Sequence, residues 1–176
     1  LTNKQKVFFK NDLKTYIAIS VREKSVIPIL EKVTTRKVDY CVDPTLLLDS
    51  TDWDKICSKR LINTSYIFCY FLGNNPRAVK CAQEYAKSHD LQLVNIPYLT
   101  RCYKKVNDFG DIKLSKVSPC DFLSLIKYAD TVFTDSFHAC VFSSIYKINF
   151  FAFRRSQNDS LGIRTVSYTH LRAHET

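Results

Sequence analysis

From residue 66 onward, short apolar stretches with high β propensity alternate with stretches of helical periodicity. Three helices are predicted, beginning after Asn75, after Ser118 and at Asp135 or Ser136. The strands predicted around them are Tyr66–Leu72, Leu91–Ile96, Thr131–Thr134 and Asn149–Phe153. Such alternation implies a mostly parallel sheet with helices on both faces, because parallel neighbours need crossover connections. The predicted fold class is therefore α/β, with a doubly wound, mostly parallel sheet.

The predicted helix starts carry capping signals. Asn75 precedes a proline, which suits the first helical position. Ser118 and Asp121 form a Ser-x-x-Asp capping box around Pro119. Asp135 or Ser136 is expected to cap the third helix, which extends to about Tyr146.

The first part of the chain is less regular. Residues 16–21 (YIAISV) predict a buried strand, and a helical stretch follows from about residue 26 to residue 33. Asp43-Pro44 predicts a turn or a strand edge. The polar cluster at residues 49–52 predicts the cap of a short helix that carries Trp53. Residues 97–117 are expected to form a long polar loop.

Composition narrows the class of protein. The 176-residue chain has a net charge of +9, which suits either nucleic-acid binding or an enzyme for anionic substrates. Its basic residues are scattered, without an RNP box or zinc-finger spacing, so no nucleic-acid partner is expected. The seven cysteines are irregularly spaced, which predicts free thiols in a reducing cytosol. No apolar run approaches the roughly 20 residues that a membrane-spanning helix needs.

The last eleven residues are excluded from the fold prediction. The string VSYTHLRAHET, residues 166–176, resembles translated adapter sequence, and we expect it to be a non-native tail. The predicted organisation is a remnant of an amino-terminal α/β domain at residues 1–52 and a truncated carboxy-terminal α/β domain at residues 53–165. Whether such a truncated chain is active is left open.

His138 is the first candidate for a functional role. It follows the predicted strand Thr131–Thr134 and lies in the first turn of the next helix. Ligands of doubly wound sheets bind outside the carboxyl ends of the strands, and helix amino termini favour anions. Asp135 and Ser136 would line the same crevice. The alternative is a core histidine, because His138 is spaced to share a helical face with apolar residues such as Phe142.

Several nucleotide and nucleophile motifs are absent. The three glycines form neither a G-x-G-x-x-G dinucleotide fingerprint nor a phosphate-binding P-loop. Ser136 does not lie in a G-x-S-x-G elbow, and no carboxylate pair has metal-ligand spacing. No metal site is therefore expected.

Taken in order, the motifs resemble those of the polysaccharide pyruvyl transferases. The matching stretches are ISVREKS at residues 19–25, DPTLLL at 43–48 with Trp53, YIFCYFLG at 66–73, and SPCDFLSLIKYADTVFTDSFHACVFSSIY at 118–146, with NFFAFRR after it. The Ser-Phe-His segment between strand and helix is the most specific. The chain departs from the family at Ala139-Cys140, where Gly-Thr is usual.

The resemblance implies a two-domain architecture like that of GT-B glycosyltransferases, with the site in the cleft and the amino-terminal domain incomplete here. It also implies transfer of the enolpyruvyl group of phosphoenolpyruvate onto two sugar hydroxyls, with no further cofactor. His138 would then transfer a proton, in a protonation state and exact role left open. Arg22 and, with weaker support, Arg154 would bind the anionic donor.

The implied acceptor is a bacterial capsule or exopolysaccharide unit, or its lipid-linked precursor, handled in the cytoplasm with peripheral membrane association. Two other functions remain open. A nucleotide-sugar glycosyltransferase of the same architecture could use the same anion site, and a non-catalytic basic module would show steeply salt-dependent binding. The acceptor sugar, the linkage positions and the oligomeric state are left open.

Overall fold

A computed structural model describes residues 2–97 and 109–154. The chain divides into two compact units, Leu1–Leu47 and Leu48–Thr176. The observed sheets are parallel and accompanied by helices, which confirms the α/β class. The domain boundaries predicted after residues 52 and 165 remain predictions.

The first unit contains a two-stranded parallel sheet of β1 (Ile19–Val21) and β2 (Val38–Tyr40), in which Ile19 pairs with Val38. Its other elements are helix α1 (Asn3–Asp12), helix α2 (Ile27–Leu30) and 3-10 turns at Lys24–Val26 and Pro44–Leu47.

The strand and the helix predicted in this unit are shorter than expected. Ile17 is 96% exposed, so the buried strand expected over residues 16–21 was wrong in its first half. Only Ile19–Val21 has a partner strand to pair with. Helix α2 ends at Leu30, three residues before the predicted end, where the chain turns toward β2.

The second unit follows the predicted alternation. Its strands are β3 (Tyr66–Tyr70), β4 (Gln92–Asn95), β5 (Ile112–Lys113), β6 (Thr131–Thr134) and β7 (Asn149–Ala152). Its helices are α3 (Ser50–Asp54), α4 (Pro76–Ser88), α5 (Pro119–Lys127) and α6 (Phe137–Ile145).

All five strands of the second unit are parallel and lie in the order β5-β4-β3-β6-β7. Strand β5 lies within residues 97–117, which were predicted to be loop. Its two residues are too few to give a periodic pattern, and pairing with β4 defines the strand. Residues 98–108 of that predicted loop lie outside the described residues.

The sheet has an apolar core on each face. Along β3, Tyr66 and Phe68 contact the core under α5 and α6, whereas Ile67 and Cys69 contact the core under α4. Successive side chains of a strand point to opposite faces, so a strand buried on both faces must be apolar throughout. Helices on both faces are what the alternating sequence predicts.

Helix α4 packs closely on its face through three alanines. Ala78, Ala82 and Ala86 are all buried, and the side chain of Asn75 accepts a hydrogen bond from the Ala78 amide, as its predicted capping role requires. Trp53, at the end of α3, packs edge-on against Phe142 of α6 at 5.0 Å between ring centroids. The predicted cap of α3 is also observed, since Asp49 accepts from the amides of residues 51 and 52.

None of the helices within residues 2–97 and 109–154 combines the length and the apolar character needed to cross a membrane.

Candidate active site at the carboxyl edge of the five-stranded sheet

The strand order reverses between β3 and β6. From β3 the chain continues to β4 and β5 on one side, and from β6 it continues to β7 on the other. The connections therefore leave these two neighbouring strands in opposite directions. In open parallel sheets this divergence creates a crevice at the carboxyl ends of the two strands, where ligands bind. The residues that follow β3 and β6 border this crevice.

Asp135 joins the ends of the two strands. Its Oδ1 accepts a hydrogen bond from the Leu72 amide at 2.7 Å, and its Oδ2 accepts one from the Gly73 amide at 3.0 Å. The residue is buried, so these two amides satisfy a carboxylate that water scarcely reaches. Of the two residues predicted as the cap of α6, Ser136 is the one observed at the N-cap position, and Asp135 binds the turn after β3 with both oxygens.

Helix α6 begins after Ser136, as predicted, but the Ser136 side chain makes no capping hydrogen bond. Its backbone amide instead donates to Thr134 Oγ1 at 3.0 Å. The Thr134 hydroxyl in turn donates to the Tyr70 carbonyl on the neighbouring strand. The expected side-chain cap is thus replaced by a network that binds the start of α6 to both central strands.

His138 lies in the first turn of α6 and is exposed. Its ring contacts that of Phe137 edge-on, with 5.2 Å between centroids. Val141 and Phe142, which its helical spacing would place beside it in the core, are buried. The core interpretation of His138 is wrong, because His138 is exposed whereas Val141 and Phe142 belong to the buried apolar layer.

The loop after β7 reaches the same edge. The Phe153 amide donates to the Thr134 carbonyl at 2.8 Å, and the Arg154 carbonyl accepts from Asn75 Nδ2 at 3.1 Å. Asn75 therefore ties the start of α4 to the end of β7 as well as capping the helix. The sequence indicated only the capping role, since nothing in the local pattern reveals a partner 79 residues away. The structure thus places Arg154 at the same edge of the sheet as His138.

Arg22 belongs to the first unit and directly follows β1. Its Nη1 forms an ion pair with Asp43 Oδ2 at 2.5 Å, while 49% of the side chain stays exposed. The alternative weighed for Arg22 was an ion pair with Glu23 or another neighbour. The observed partner is Asp43, which is part of the sequence stretch that resembles the family.

Two cysteines near the sheet, Cys69 and Cys140, are in surroundings that disfavour the thiolate. Burial raises the pKa of Cys140 to about 11, with a further contribution from the negative charge of Asp135. Burial also raises the pKa of Cys69 well above its ordinary value. Both were predicted to be small core residues, and both are free and buried.

In the described ranges, no three histidine, cysteine, aspartate or glutamate side chains lie where they could hold a metal ion.

Comparison with known proteins assigns the chain to a family. The sequence model for polysaccharide pyruvyl transferase matches residues 2–157, which is most of the chain. The chain belongs to the polysaccharide pyruvyl transferase family. A comparison with curated proteins gives no match. The match includes Arg22, His138 and Arg154, and it agrees with the resemblance found in the sequence.

Family membership makes the protein a transferase with polysaccharide pyruvyl transferase activity, and it implies a polysaccharide acceptor. The crevice between β3 and β6 is its candidate active site. The roles expected for Arg22, Asp135, Ser136, His138 and Arg154 remain predictions.

Proposed function

We propose that the protein transfers the enolpyruvyl group of phosphoenolpyruvate onto two hydroxyls of a sugar unit and leaves a cyclic pyruvate ketal. The observation that carries the proposal is the exposed His138 in the first turn of α6, at the point where the strand order reverses. An anion at this position would lie near the positive end of the helix dipole. The donor has both a phosphate and a carboxylate to place there.

The proton balance gives His138 a definite task. One sugar hydroxyl adds to C2 of the donor, a proton is added to the methylene carbon C3, and the second hydroxyl displaces phosphate. Two hydroxyl protons are released in all, of which one ends on C3 and the other leaves with phosphate. A single imidazole can accept the first proton and deliver it to C3, which is the work of a general acid–base group.

Two arginines are proposed to hold the donor. Arg22, at the end of β1, would bind the phosphate or the carboxylate through the two-pronged donor geometry of its guanidinium. Arg154, after β7, would contribute positive charge at the edge that holds His138. The GT-B-like two-domain architecture that the resemblance implies is part of the proposal.

Asp135 and Ser136 shape the site in this proposal. The Asp135 carboxylate occupies the amides of Leu72 and Gly73, so it fixes the turn after β3 beside the bound substrate. The Ser136 hydroxyl is not used as a helix cap and is proposed as a hydrogen-bond donor to the substrate. No cofactor is required, because the donor itself carries the activated group.

We further propose that the acceptor is a capsule or exopolysaccharide unit of a bacterium, or its lipid-linked precursor. An acceptor on a lipid carrier would bring the enzyme to the membrane surface as a peripheral protein, with the reaction on the cytoplasmic side where phosphoenolpyruvate is made.

Ligand stabilisation followed by product analysis tests the proposal. A ligand that binds only the native state raises the unfolding temperature, by an amount that grows with the logarithm of its concentration relative to its dissociation constant. Phosphoenolpyruvate should raise the unfolding temperature, and UDP-sugars should not. With candidate oligosaccharides, phosphate should then be released and the acceptor should gain the mass of a pyruvate ketal. Stabilisation by UDP-sugars alone, with sugar transfer, would instead show a nucleotide-sugar glycosyltransferase.

A further inference from the structure

The first unit contains a nearly buried carboxylate, that of Asp43. Asp43 follows β2, immediately before the 3-10 turn Pro44–Leu47, and only 5% of its side chain is exposed. Charged side chains are rarely buried to this degree unless they are paired. The hydrogen-bond partners of the Asp43 carboxylate therefore indicate its role.

The two oxygens of Asp43 have separate partners. Oδ1 accepts hydrogen bonds from the Thr45 amide at 3.1 Å and from the Thr45 hydroxyl at 2.7 Å. Oδ2 accepts from Arg22 Nη1. One side of the carboxylate is thus fixed by the turn that follows it, and the other side is aimed at the guanidinium.

The ion pair joins the ends of two neighbouring strands. Arg22 directly follows β1 and Asp43 lies three residues after β2, and these strands are parallel and paired. The two side chains therefore meet at the carboxyl edge of this sheet. Half of the Arg22 side chain remains exposed, so a ligand can reach a guanidinium whose orientation the protein already holds.

We propose that Asp43 is a positioning residue, which holds Arg22 in the orientation that binds the anionic donor. This inference rests on the proposed function, because it assumes that Arg22 contacts phosphoenolpyruvate. A free arginine side chain has several rotatable bonds, and fixing it beforehand lowers the entropy lost on binding. The Thr45 contacts keep the carboxylate from turning away with the guanidinium.

Replacing Asp43 by asparagine separates positioning from simple charge, because the two effects have opposite signs. Asparagine keeps an oxygen that can accept from Thr45, but it removes the negative charge that orients Arg22. If the charge acted only through space, its removal would tighten the binding of an anionic donor. If Asp43 positions Arg22, the Asp43→Asn protein should bind phosphoenolpyruvate about tenfold more weakly, because the long Arg22 side chain must then be ordered when the ligand binds.

Asp39 provides the matched control. It lies on β2 in the same unit, and its ion pair with Lys37 is exposed on both sides, at 83% for Lys37 and 55% for Asp39. Asp39→Asn removes the same charge without touching Arg22. We expect its affinity for phosphoenolpyruvate, measured by titration calorimetry on the whole chain, to stay within twofold of the unmodified protein.

KM should rise in the Asp43→Asn protein with kcat nearly unchanged.

Arg22→Ala distinguishes failure of this inference from failure of the proposed function. If Arg22→Ala leaves the affinity for phosphoenolpyruvate unchanged, the assignment of Arg22 as a donor-binding residue falls, and this inference falls with it. If Arg22→Ala weakens binding while Asp43→Asn binds as tightly as Asp39→Asn or more tightly, only the positioning role is overturned. In the Arg22→Ala background, Asp43→Asn should cause no further weakening.

A second variant keeps the inference testable if Asp43→Asn does not fold. Thr45→Val removes the hydroxyl that holds Oδ1 and leaves the ion pair itself in place. We expect binding about threefold weaker, since one neutral hydrogen bond is lost. Unchanged affinity in a folded Thr45→Val protein, judged against Asp39→Asn, would overturn the positioning role.

Discussion

At the scale of single residues, Asp135 shows how a buried charge can organise the edge of a sheet. Its carboxylate bridges from the end of β6 to two amides that follow β3, 62 and 63 residues earlier in the chain. A charged acceptor makes stronger hydrogen bonds than a neutral one, and both bonds are largely shielded from water. The crevice beside His138 therefore has a fixed wall before any substrate binds.

Removal of this carboxylate should destabilise the second unit. We expect Asp135→Ala to lower the free energy of unfolding by about 2–4 kcal/mol, because two shielded amides lose their acceptor. Asp130 gives a matched control, since it joins the other ends of the same strands through one 3.2 Å bond to the Tyr66 amide and is itself exposed. Asp130→Ala should cost about 1 kcal/mol or less in urea unfolding. Equal losses in the two variants would contradict the bridging role.

Thiol reactivity tests the burial of the sheet. Burial raises the pKa of Cys140 to about 11, so the thiolate that reacts is scarce at pH 8. Cys41 and Cys81 are exposed. We expect iodoacetamide at pH 8 to modify Cys41 and Cys81 first, with Cys69 and Cys140 reacting only after unfolding, as peptide mass spectrometry would show. Early modification of Cys140 in the native protein would contradict its placement.

At the scale of elements, the first turn of helix α5 has a local capping box and a hydrogen bond from a distant serine. Ser118 and Asp121 form the complete capping box that the sequence predicts. Asp121 also accepts a hydrogen bond from the Ser58 hydroxyl at 2.7 Å. The pKa of Asp121 is lowered, first by this bond and then by its bonds to Ser118. The segment after α3 is thereby attached to the first turn of α5.

The lowered pKa has a consequence for stability against acid. Because the folded pKa of Asp121 lies below its unfolded value, its contribution is present above the unfolded pKa and is lost as the pH falls through the folded pKa. We expect Ser58→Ala to raise the pKa of Asp121 toward its ordinary value, as an NMR titration of the carboxyl would show. The stabilising contribution of Asp121 should then be lost over a narrower range of pH. An unchanged Asp121 pKa in that variant would contradict the assignment.

The cap itself gives a separate prediction. Ser118→Ala removes the acceptor of the Asp121 amide and should lower the free energy of unfolding by about 1 kcal/mol. Thermal or urea unfolding would measure this loss, and Ser115→Ala, in the segment between β5 and α5, serves as the exposed control. A Ser118→Ala protein as stable as this control would show that the box contributes little.

The two helix starts also show what sequence can and cannot predict. The cap of α5 was predictable because all its groups lie within four residues. At α6, Ser136 occupies the N-cap position as one of the two predicted residues, but its side chain makes no capping bond. Asp135 binds a turn more than sixty residues away, and no local pattern reveals such a partner. The Asn75–Arg154 and Arg22–Asp43 contacts escaped prediction for the same reason. Element type follows from local periodicity, whereas these site contacts follow from tertiary packing.

At the scale of the whole molecule, the strand order determines where the candidate active site lies. Alternation of strands and helices predicted a parallel sheet with two covered faces, but it did not predict that β3 and β6 would be neighbours from which the chain diverges. That order arises when the chain returns to the centre of the sheet after β5. It places the Ser-Phe-His segment at the reversal point.

The proposed pyruvyl transfer depends most on the imidazole at this reversal point, and a pair of histidine variants tests its role. His89 follows α4, at the opposite edge of the sheet, and is also exposed. The measurement is the rate at which a 13C-labelled pyruvyl group passes from phosphoenolpyruvate to the sugar acceptor. We predict that His138→Gln lowers this rate by about 10²–10⁴-fold, the usual contribution of a general acid–base group, and that His89→Gln leaves it within twofold. Equal rates for a folded His138→Gln protein and the His89→Gln control would contradict the account.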